Sequence, residues 1–294
     1  MLILDGGLSN VLEKQGCNLN NRLWTASLLD ECPEALVKAH LEYIKAGAQC
    51  ITSASYQSSI PGLTSIGYSE GEAKSLILKS VQIAEKAARL ALELGITDSK
   101  PKIAASIGPY GAYLANGSEY TGCYNVSEDT LYGFHDERIK ILDQSTADYL
   151  ACETIPCIQE ARVLSELLLL AEKPSWVSFS FNDDQHINDG SKFTDCISIF
   201  KAHPKVFAIG VNCTNPSFVS RIIMSIKASE WHRKIIAYPN SGDIYDAQNK
   251  SWSNSEPAQC FSHYTQEWID LGVDILGGCC GIGPTEIKKI KPPF

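Results

Sequence analysis

A (β/α)₈ barrel is the fold class that this 294-residue sequence predicts, on three observations. Short apolar runs alternate with longer amphipathic runs from end to end. The alternation repeats eight times. No Pro/Ser-rich linker or low-complexity tract interrupts it, so residues 1–294 read as one domain. Near-continuous apolar strands separated by helices imply a parallel sheet covered on both faces. Eight such units in one composition regime imply closure into a barrel, a fold that commonly reaches about 250 residues as one unit.

The elements follow in order. Leu2–Leu4 is a short apolar strand ending in Asp5-Gly6-Gly7. Ala35–Ala46 has helical spacing, with Leu36, Ala39, Tyr43 and Ala46 on one face, Pro33 in its first turn and Gly47 closing it. Cys50–Ser53 is the second strand. Ser69–Leu94 is a long helix opened by Ser69 and Glu72 at capping-box spacing. Strands are then predicted at Ile103–Ile107, Tyr149–Cys152, Trp176–Phe181, Val206–Val211, Ile235–Tyr238 and Val273–Leu276. Helices are predicted between them at Thr130–Leu142, Ile158–Leu170, Phe193–Ala202, Phe218–Ser229 and Ala258–Leu271, with a short last one near Pro284. Two connections are long. Gly108–Ser127 is expected to carry a small hairpin, and Pro239–Glu256 holds Pro239-Asn240-Ser241-Gly242. Both follow strands and so fall at the C-terminal mouth, where long loops usually serve function.

Composition narrows the partners. The net charge is −9 and no basic run exists beyond Lys288, Lys289 and Lys291, which argues against nucleic acid. No stretch approaches the roughly 18 apolar residues needed to span a bilayer. No secretory signal is visible at the start, so a cytoplasmic protein is expected. Eleven cysteines, odd in number and irregular in spacing, read there as thiols, metal ligands or nucleophiles rather than a disulfide framework.

Polar residues end the strands: Asp5, Thr52-Ser53 running on to Tyr56, Cys152-Glu153-Thr154, Asn212-Cys213, Tyr238-Pro239-Asn240 and Gly277-Gly278-Cys279-Cys280-Gly281. In a closed barrel all of these converge on one pocket. Cys279-Cys280 is a vicinal pair between glycines, and Cys213 stands two strands away at the same height. Three thiolates make a tripod with an open fourth position, the design of a catalytic zinc site. Cys50, Cys152 and Cys196 lack that setting. Strand alternation points Cys152 away from Glu153. Cys17, Cys32, Cys123, Cys157 and Cys260 are given no role. His40, His135, His186, His203, His232 and His263 fall on helices or loops, with packing or surface roles expected.

The ordered motifs DGG, ACETIP, VNC, YPNSGD and GGCCG resemble the homocysteine S-methyltransferase family over essentially the whole chain. Gly108-Pro109-Tyr110-Gly111-Ala112-Tyr113, Gly117-Ser118-Glu119-Tyr120 and Trp24 resemble its branch that uses S-methylmethionine or S-adenosylmethionine. The resemblance implies that zinc sits on Cys213, Cys279 and Cys280, and that the homocysteine thiol loses its proton as the fourth ligand. The thiol then attacks a sulfonium methyl to give methionine. The resemblance also implies Glu153 on the homocysteine ammonium, with Asp5 beside it. The backbone of Gly6 and Gly7 faces the carboxylate. Asn212 orients a cysteine sulfur or receives the donor, Thr52 and Tyr56 line the pocket, and Asn240, Ser241 and Asp243 meet the donor's amino-acid end. Tyr110, Tyr113 or Trp24 attract the sulfonium through cation–π contact. S-methylmethionine is the first choice of donor, S-adenosylmethionine the second and betaine a distant third. The sequence departs from the family's usual pattern at Asn10, at Gly281-Ile282-Gly283-Pro284 and at Ser145-Thr146-Ala147-Asp148, none of them in the metal tripod. Two rival readings are a zinc-dependent barrel hydrolase and a non-enzymatic zinc or thiol redox sensor. The first lacks His ligands at strand ends; the second has no need of a shaped amino-acid pocket.

Overall fold

The computed structural model describes the chain except residues 22, 243, 247–250, 254–260 and 292–294. Among the described residues the first half of the barrel is β1 (Leu2–Ile3), β2 (Cys50–Thr52), β3 (Lys102–Ile107), β4 (Tyr149–Ile155) and β5 (Ser175–Phe179). The second half is β6 (Val206–Asn212), β7 (Lys234–Tyr238) and β10 (Ile275–Leu276), while β8 (Ile244–Asp246) and β9 (Ser251–Ser253) form a separate antiparallel pair. The eight barrel strands are parallel, in the order β1-β10-β7-β6-β5-β4-β3-β2. The ends of that order meet. Leu4 bridges Cys50 in parallel, and the Gln49 N–H donates to the Ile3 carbonyl at 2.8 Å. The sheet is therefore a (β/α)₈ barrel, as the alternation predicts. No described helix is long and apolar enough to cross a membrane.

The principal helices sit where the apolar spacing places them, and their caps explain the small differences. These are α3 (Pro33–Lys45), α5 (Glu70–Glu93), α7 (Glu128–Asp143), α8 (Ile158–Leu170), α9 (Phe193–Phe200), α10 (Pro216–Ala228), α11 (Phe261–Asp270) and α12 (Pro284–Ile287). The Ser69–Glu72 capping box opens α5. Helix α7 starts two residues earlier than the apolar period suggests because Ser127 caps it, its hydroxyl accepting from the Thr130 N–H. Asn215 does the same for α10, with Pro216 at the first position. The periodicity does not reveal α1 (Leu8–Lys14), α2 (Leu28–Glu31), α4 (Ile60–Thr64) or α6 (Tyr110–Leu114). A one- or two-turn helix is too short for a 3.6-residue period to show.

The hairpin expected in Gly108–Ser127 is not there. That segment instead forms α6 and a 3₁₀ turn at Ser118–Tyr120. Pro109, extended, begins α6, and Ala115 at φ +53° ends it. The hairpin lies after β7, as β8 and β9.

The strands' period of two sorts their side chains. Leu4, Cys50, Ala104, Ala151, Trp176, Ala208, Ile236 and Ile275 face inward and fill the barrel's lower interior. Trp176 is fully buried in this layer, with Ala151 and Ala208 opposite it on the adjoining strands. Two residues further along come Thr52, Ser106, Glu153, Ser178 and Tyr238 on five of the strands and Gly6, Gly210 and Gly277 on the other three, so the side chains of the next layer are polar. The outward set packs against the helices and includes Cys152, which points away from Glu153 as alternation requires.

Candidate active site

The polar layer and the loops above it enclose a cavity of about 390 Å³. Its wall takes Asp5 from the end of β1, Thr52 from β2, Ser106 from β3 and Glu153 from β4. Asn212 and Cys213 come from β6, Tyr238 from β7, and Cys279 and Cys280 from beyond β10.

The three cysteine sulfurs lie within 4.8 Å of one another, and those of Cys213 and Cys280 are 3.7 Å apart. The segment after β7 holds both sides of this triangle. The Cys213 N–H donates to the Tyr238 carbonyl at 3.2 Å and the Cys279 N–H to the Pro239 carbonyl at 2.8 Å. The Ser241 N–H donates to the Cys280 carbonyl at 2.9 Å. Gly278 has no room for a β-carbon, which would meet the Ile282 side chain, and Gly281 turns the chain at φ +78°. The glycines around the vicinal pair are thus required by packing and by backbone conformation. Cys213 itself has φ +47° and Thr154, at the end of β4, φ +61°. Both are non-glycine residues in the left-handed region, a strain of about 1 kcal/mol or more each. Asn212 braces them. Its amide oxygen accepts from the Thr154 N–H at 2.7 Å and the Ser178 hydroxyl at 2.8 Å, and its amide nitrogen donates to the Thr154 hydroxyl at 2.7 Å.

Crowding three thiols raises the free energy of more than one negative charge. Hydrogen bonds from Cys279, Cys280 and the Tyr120 hydroxyl hold Cys213 well below the usual thiol range, and Cys279 and Cys280 are pushed well above it. A cation at the centre would relieve that conflict. Outside the triangle, burial pushes Cys152 up to about 12 and Cys50 well above its ordinary value. These are inert core thiols.

Three carboxyls in the wall are also displaced upward, chiefly by burial: Asp5 to about 8, Glu153 to about 7 and Glu119 to about 7. Thr52 grips Asp5 through its backbone N–H at 2.8 Å and its hydroxyl at 3.0 Å. Ser106 donates to Glu153, and Tyr238 bonds the same carboxyl. The Tyr238 hydroxyl lies 2.6 Å from that of Ser178 and accepts from the Trp176 indole at 3.1 Å, so the barrel floor orients Glu153. Among the described residues the wall contains no lysine, arginine or histidine. Such a pocket favours cations.

The structure places the remaining expected contact residues as follows. The Gly7 N–H donates to the Ile282 carbonyl at 3.0 Å, so it has no proton left for a carboxylate. Gly6 and Gly7 both line the cavity. Asn240 and Ser241 are not among the described residues of the wall, and the Ser241 backbone is tied to the Cys280 carbonyl. The Asn240 side chain accepts from the Gly242 N–H at 2.9 Å. Asp243 lies outside the described residues. Tyr110 and Tyr113 pack with each other and with Phe134, away from the cavity. Trp24 and Tyr56 do line it, edge to face at 6.3 Å, and Tyr56 bonds the Thr154 side chain.

A model of the homocysteine S-methyltransferase family matches residues 2–293. The homocysteine S-methyltransferase YbgG of Bacillus subtilis is 44% identical, across 99% of this chain and 93% of its own. A selenocysteine Se-methyltransferase of Brassica oleracea is 41% identical, across 98% of this chain and 87% of its own. The metallated form of the homocysteine methyltransferase MmuM from Escherichia coli matches with a TM-score of 0.89 at 36% identity, over 99% of this chain and 95% of that one. The chain belongs to the homocysteine S-methyltransferase family. It is a methyltransferase.

Several wall residues of this family member escaped assignment from sequence, among them Ser106, Tyr238, Glu119 and Tyr120. Tyr120 places its hydroxyl 3.3 Å from the Cys213 sulfur, and Glu119 lines the same wall. Both come from the loop between β3 and α7, which has no periodicity to say which side chains turn inward. A buried network fixes that loop. Glu160 accepts from the Tyr110 N–H at 2.6 Å and from the Tyr124 hydroxyl at 3.0 Å, and it bonds His135 at 2.7 Å. Arg138 donates to the Gly108 carbonyl at 2.6 Å. His135 is thus a structural histidine. Cys17, given no role from sequence, lies on the cavity's outer wall.

Proposed function

We propose that the protein transfers a methyl group from a small sulfonium donor to the thiol of homocysteine, producing methionine, with zinc held by Cys213, Cys279 and Cys280. The triangle of sulfurs at the mouth of the barrel carries this reading. Zinc bonded to sulfur at about 2.3 Å in a tetrahedron sets its sulfurs about 3.8 Å apart. The Cys213–Cys280 separation of 3.7 Å fits that spacing. Three soft donors favour zinc over magnesium or calcium. When bound, zinc would supply coordination that deprotonates a substrate thiol at neutral pH.

The chain's own residues do the rest. Asp5 and Glu153 receive the homocysteine ammonium, and an adjacent positive charge brings their raised pKa values back down, so that both are ionised in the complex. Thr52 fixes the first carboxyl; Ser106 and Tyr238 fix the second. The Gly6 backbone faces the substrate carboxylate. Asn212 positions the turn that presents Cys213. Trp24, Tyr56 and Tyr120 offer ring surfaces to the donor cation. The homocysteine thiol gives its proton to solvent. Its sulfur then bonds the methyl carbon as the donor's sulfur–methyl bond breaks, and that electron pair stays on the departing sulfur. An anion and a cation become two neutral thioethers, so no proton donor is needed, and positioning in a water-poor pocket supplies the acceleration. S-methylmethionine is the preferred donor, ahead of S-adenosylmethionine and then betaine.

Methionine formation from homocysteine and each donor tests the proposal. S-methylmethionine should give the highest rate, chelation should abolish turnover, and added zinc should restore it. Full activity in metal-stripped protein would contradict the reading.

A further inference from the structure

Resting on the methyl-transfer reading above, we propose that Glu119 is the counter-charge for the donor's sulfonium. It would be the residue by which the pocket selects a cationic sulfur over a neutral one. Four observations carry this. Glu119 is only 9% exposed and lines the cavity. Its Oε2 is sealed from solvent and has no hydrogen-bond partner among the described residues. The other two buried carboxyls of the wall, Asp5 and Glu153, are held by Thr52 and by Ser106 with Tyr238. A buried carboxylate oxygen left unpaired is costly unless a ligand supplies its partner. The described wall offers no basic side chain that could do so.

The position of Glu119 says which charge it serves. Its chain neighbour Tyr120 places a hydroxyl 3.3 Å from the Cys213 sulfur, and Glu119, Tyr120, Tyr56 and Cys213 line the same cavity, so Glu119 stands near the cysteine triangle among aromatic rings. Glu153 also feels the Cys213 charge, but its carboxyl is already held by Ser106 and Tyr238, as Asp5 is by Thr52. The acceptor sulfur must sit near the cysteine triangle, and the methyl must reach it. The positive donor sulfur therefore lies within a methyl's reach of the triangle, where Glu119 is the buried wall carboxyl with an unpaired oxygen among the described residues. A carboxylate beside tyrosine faces is a chemically suited cage for an onium ion.

The loop also holds Glu119 still. Its carbonyl accepts from the Ser180 hydroxyl at 3.2 Å and from the Asn188 amide at 3.4 Å. Gly111 packs against its backbone with no space for a β-carbon. Preorganisation of this kind places a charge before the ligand arrives. Because the donor's positive charge disappears as the methyl leaves, Glu119 favours the bound donor more than the transition state. Its loss should raise the donor KM without lowering kcat.

The test is calorimetric titration of S-methylmethionine into the zinc-loaded protein without homocysteine, for wild type and Glu119→Gln. The variant should bind S-methylmethionine at least tenfold more weakly, hold the same zinc per chain, and bind homocysteine within twofold of wild type. Glu119→Asp, which keeps the charge on a shorter arm, should fall between; it carries the test should Glu119→Gln fail to fold. An S-methylmethionine affinity within twofold of wild type in Glu119→Gln, equal weakening for homocysteine, or no binding of S-methylmethionine by wild type would overturn the inference. Binding that depends on Glu119 in a protein that forms no methionine would sink the methyl-transfer reading and leave the cation site standing.

Discussion

Replacing Glu153 by glutamine should make the metal-free, ligand-free protein more stable, and the gain should grow with pH. Burial holds the Glu153 carboxyl at about 7 against an ordinary 4.5. Below 4.5 the group is protonated in both the folded and the unfolded chain, and it imposes no penalty. Between 4.5 and 7 the unfolded chain releases the proton that the folded chain keeps, so stability falls as pH rises. Above 7 the penalty is complete. At about 1.36 kcal/mol per tenfold change in proton affinity, the gap amounts to about 3 kcal/mol at pH 8 and about 1 kcal/mol at pH 5. Glutamine keeps the shape and the Ser106 contact without the charge. It also relieves Asp5, whose own pKa the Glu153 charge helps to raise. Urea unfolding of wild type and Glu153→Gln in chelator, at pH 5 and pH 8, reads the difference. The same variant should bind homocysteine ten- to a hundredfold more weakly, since a charged hydrogen bond is worth about 1.5–3 kcal/mol. A stability gain that is absent at pH 8, or equal at both pH values, would refute the argument that this carboxyl is kept at a folding cost for binding.

Two further outcomes follow from the packing. Trp176→Ala should cost about 3–5 kcal/mol in urea unfolding, because Ala104, Ala151 and Ala208 are too short to refill the barrel floor. It should also weaken homocysteine, since the indole orients Tyr238 and through it Glu153. Glu160→Gln removes the counter-charge of buried Arg138 and should cost about 3–5 kcal/mol. Steady-state kinetics should show its donor KM raised with zinc content unchanged, since this network anchors the loop that carries Glu119 and Tyr120.

Much of the fold was legible because both periodicities are strong. Inward alanines with Trp176, followed two residues later by Thr52, Ser106, Glu153 and Tyr238, amount to a strand pattern that turns from apolar to polar near the mouth. Cys213 and Cys279-Cys280 were legible as a set because each follows a strand. What the sequence concealed lies in loops. Glu119 and Tyr120 turn inward through a 3₁₀ turn and the Glu160 network, neither of which has a repeat. Asn240 and Ser241 follow a strand, as the wall residues do, yet neither is in the described wall and the Ser241 N–H bonds the Cys280 carbonyl. Tyr110 and Tyr113 look like cation-binding aromatics in one dimension and prove to be packing against Phe134. The bond from the Gly7 N–H to the Ile282 carbonyl was hidden because the two residues are far apart in the chain.

The account stands or falls on the sulfur triangle. Zinc K-edge X-ray absorption on the protein as purified should give three sulfur neighbours at about 2.3 Å and one lighter atom, with a fourth sulfur replacing that atom when homocysteine is added. A shell dominated by nitrogen or oxygen, or one that homocysteine leaves unchanged, would contradict it.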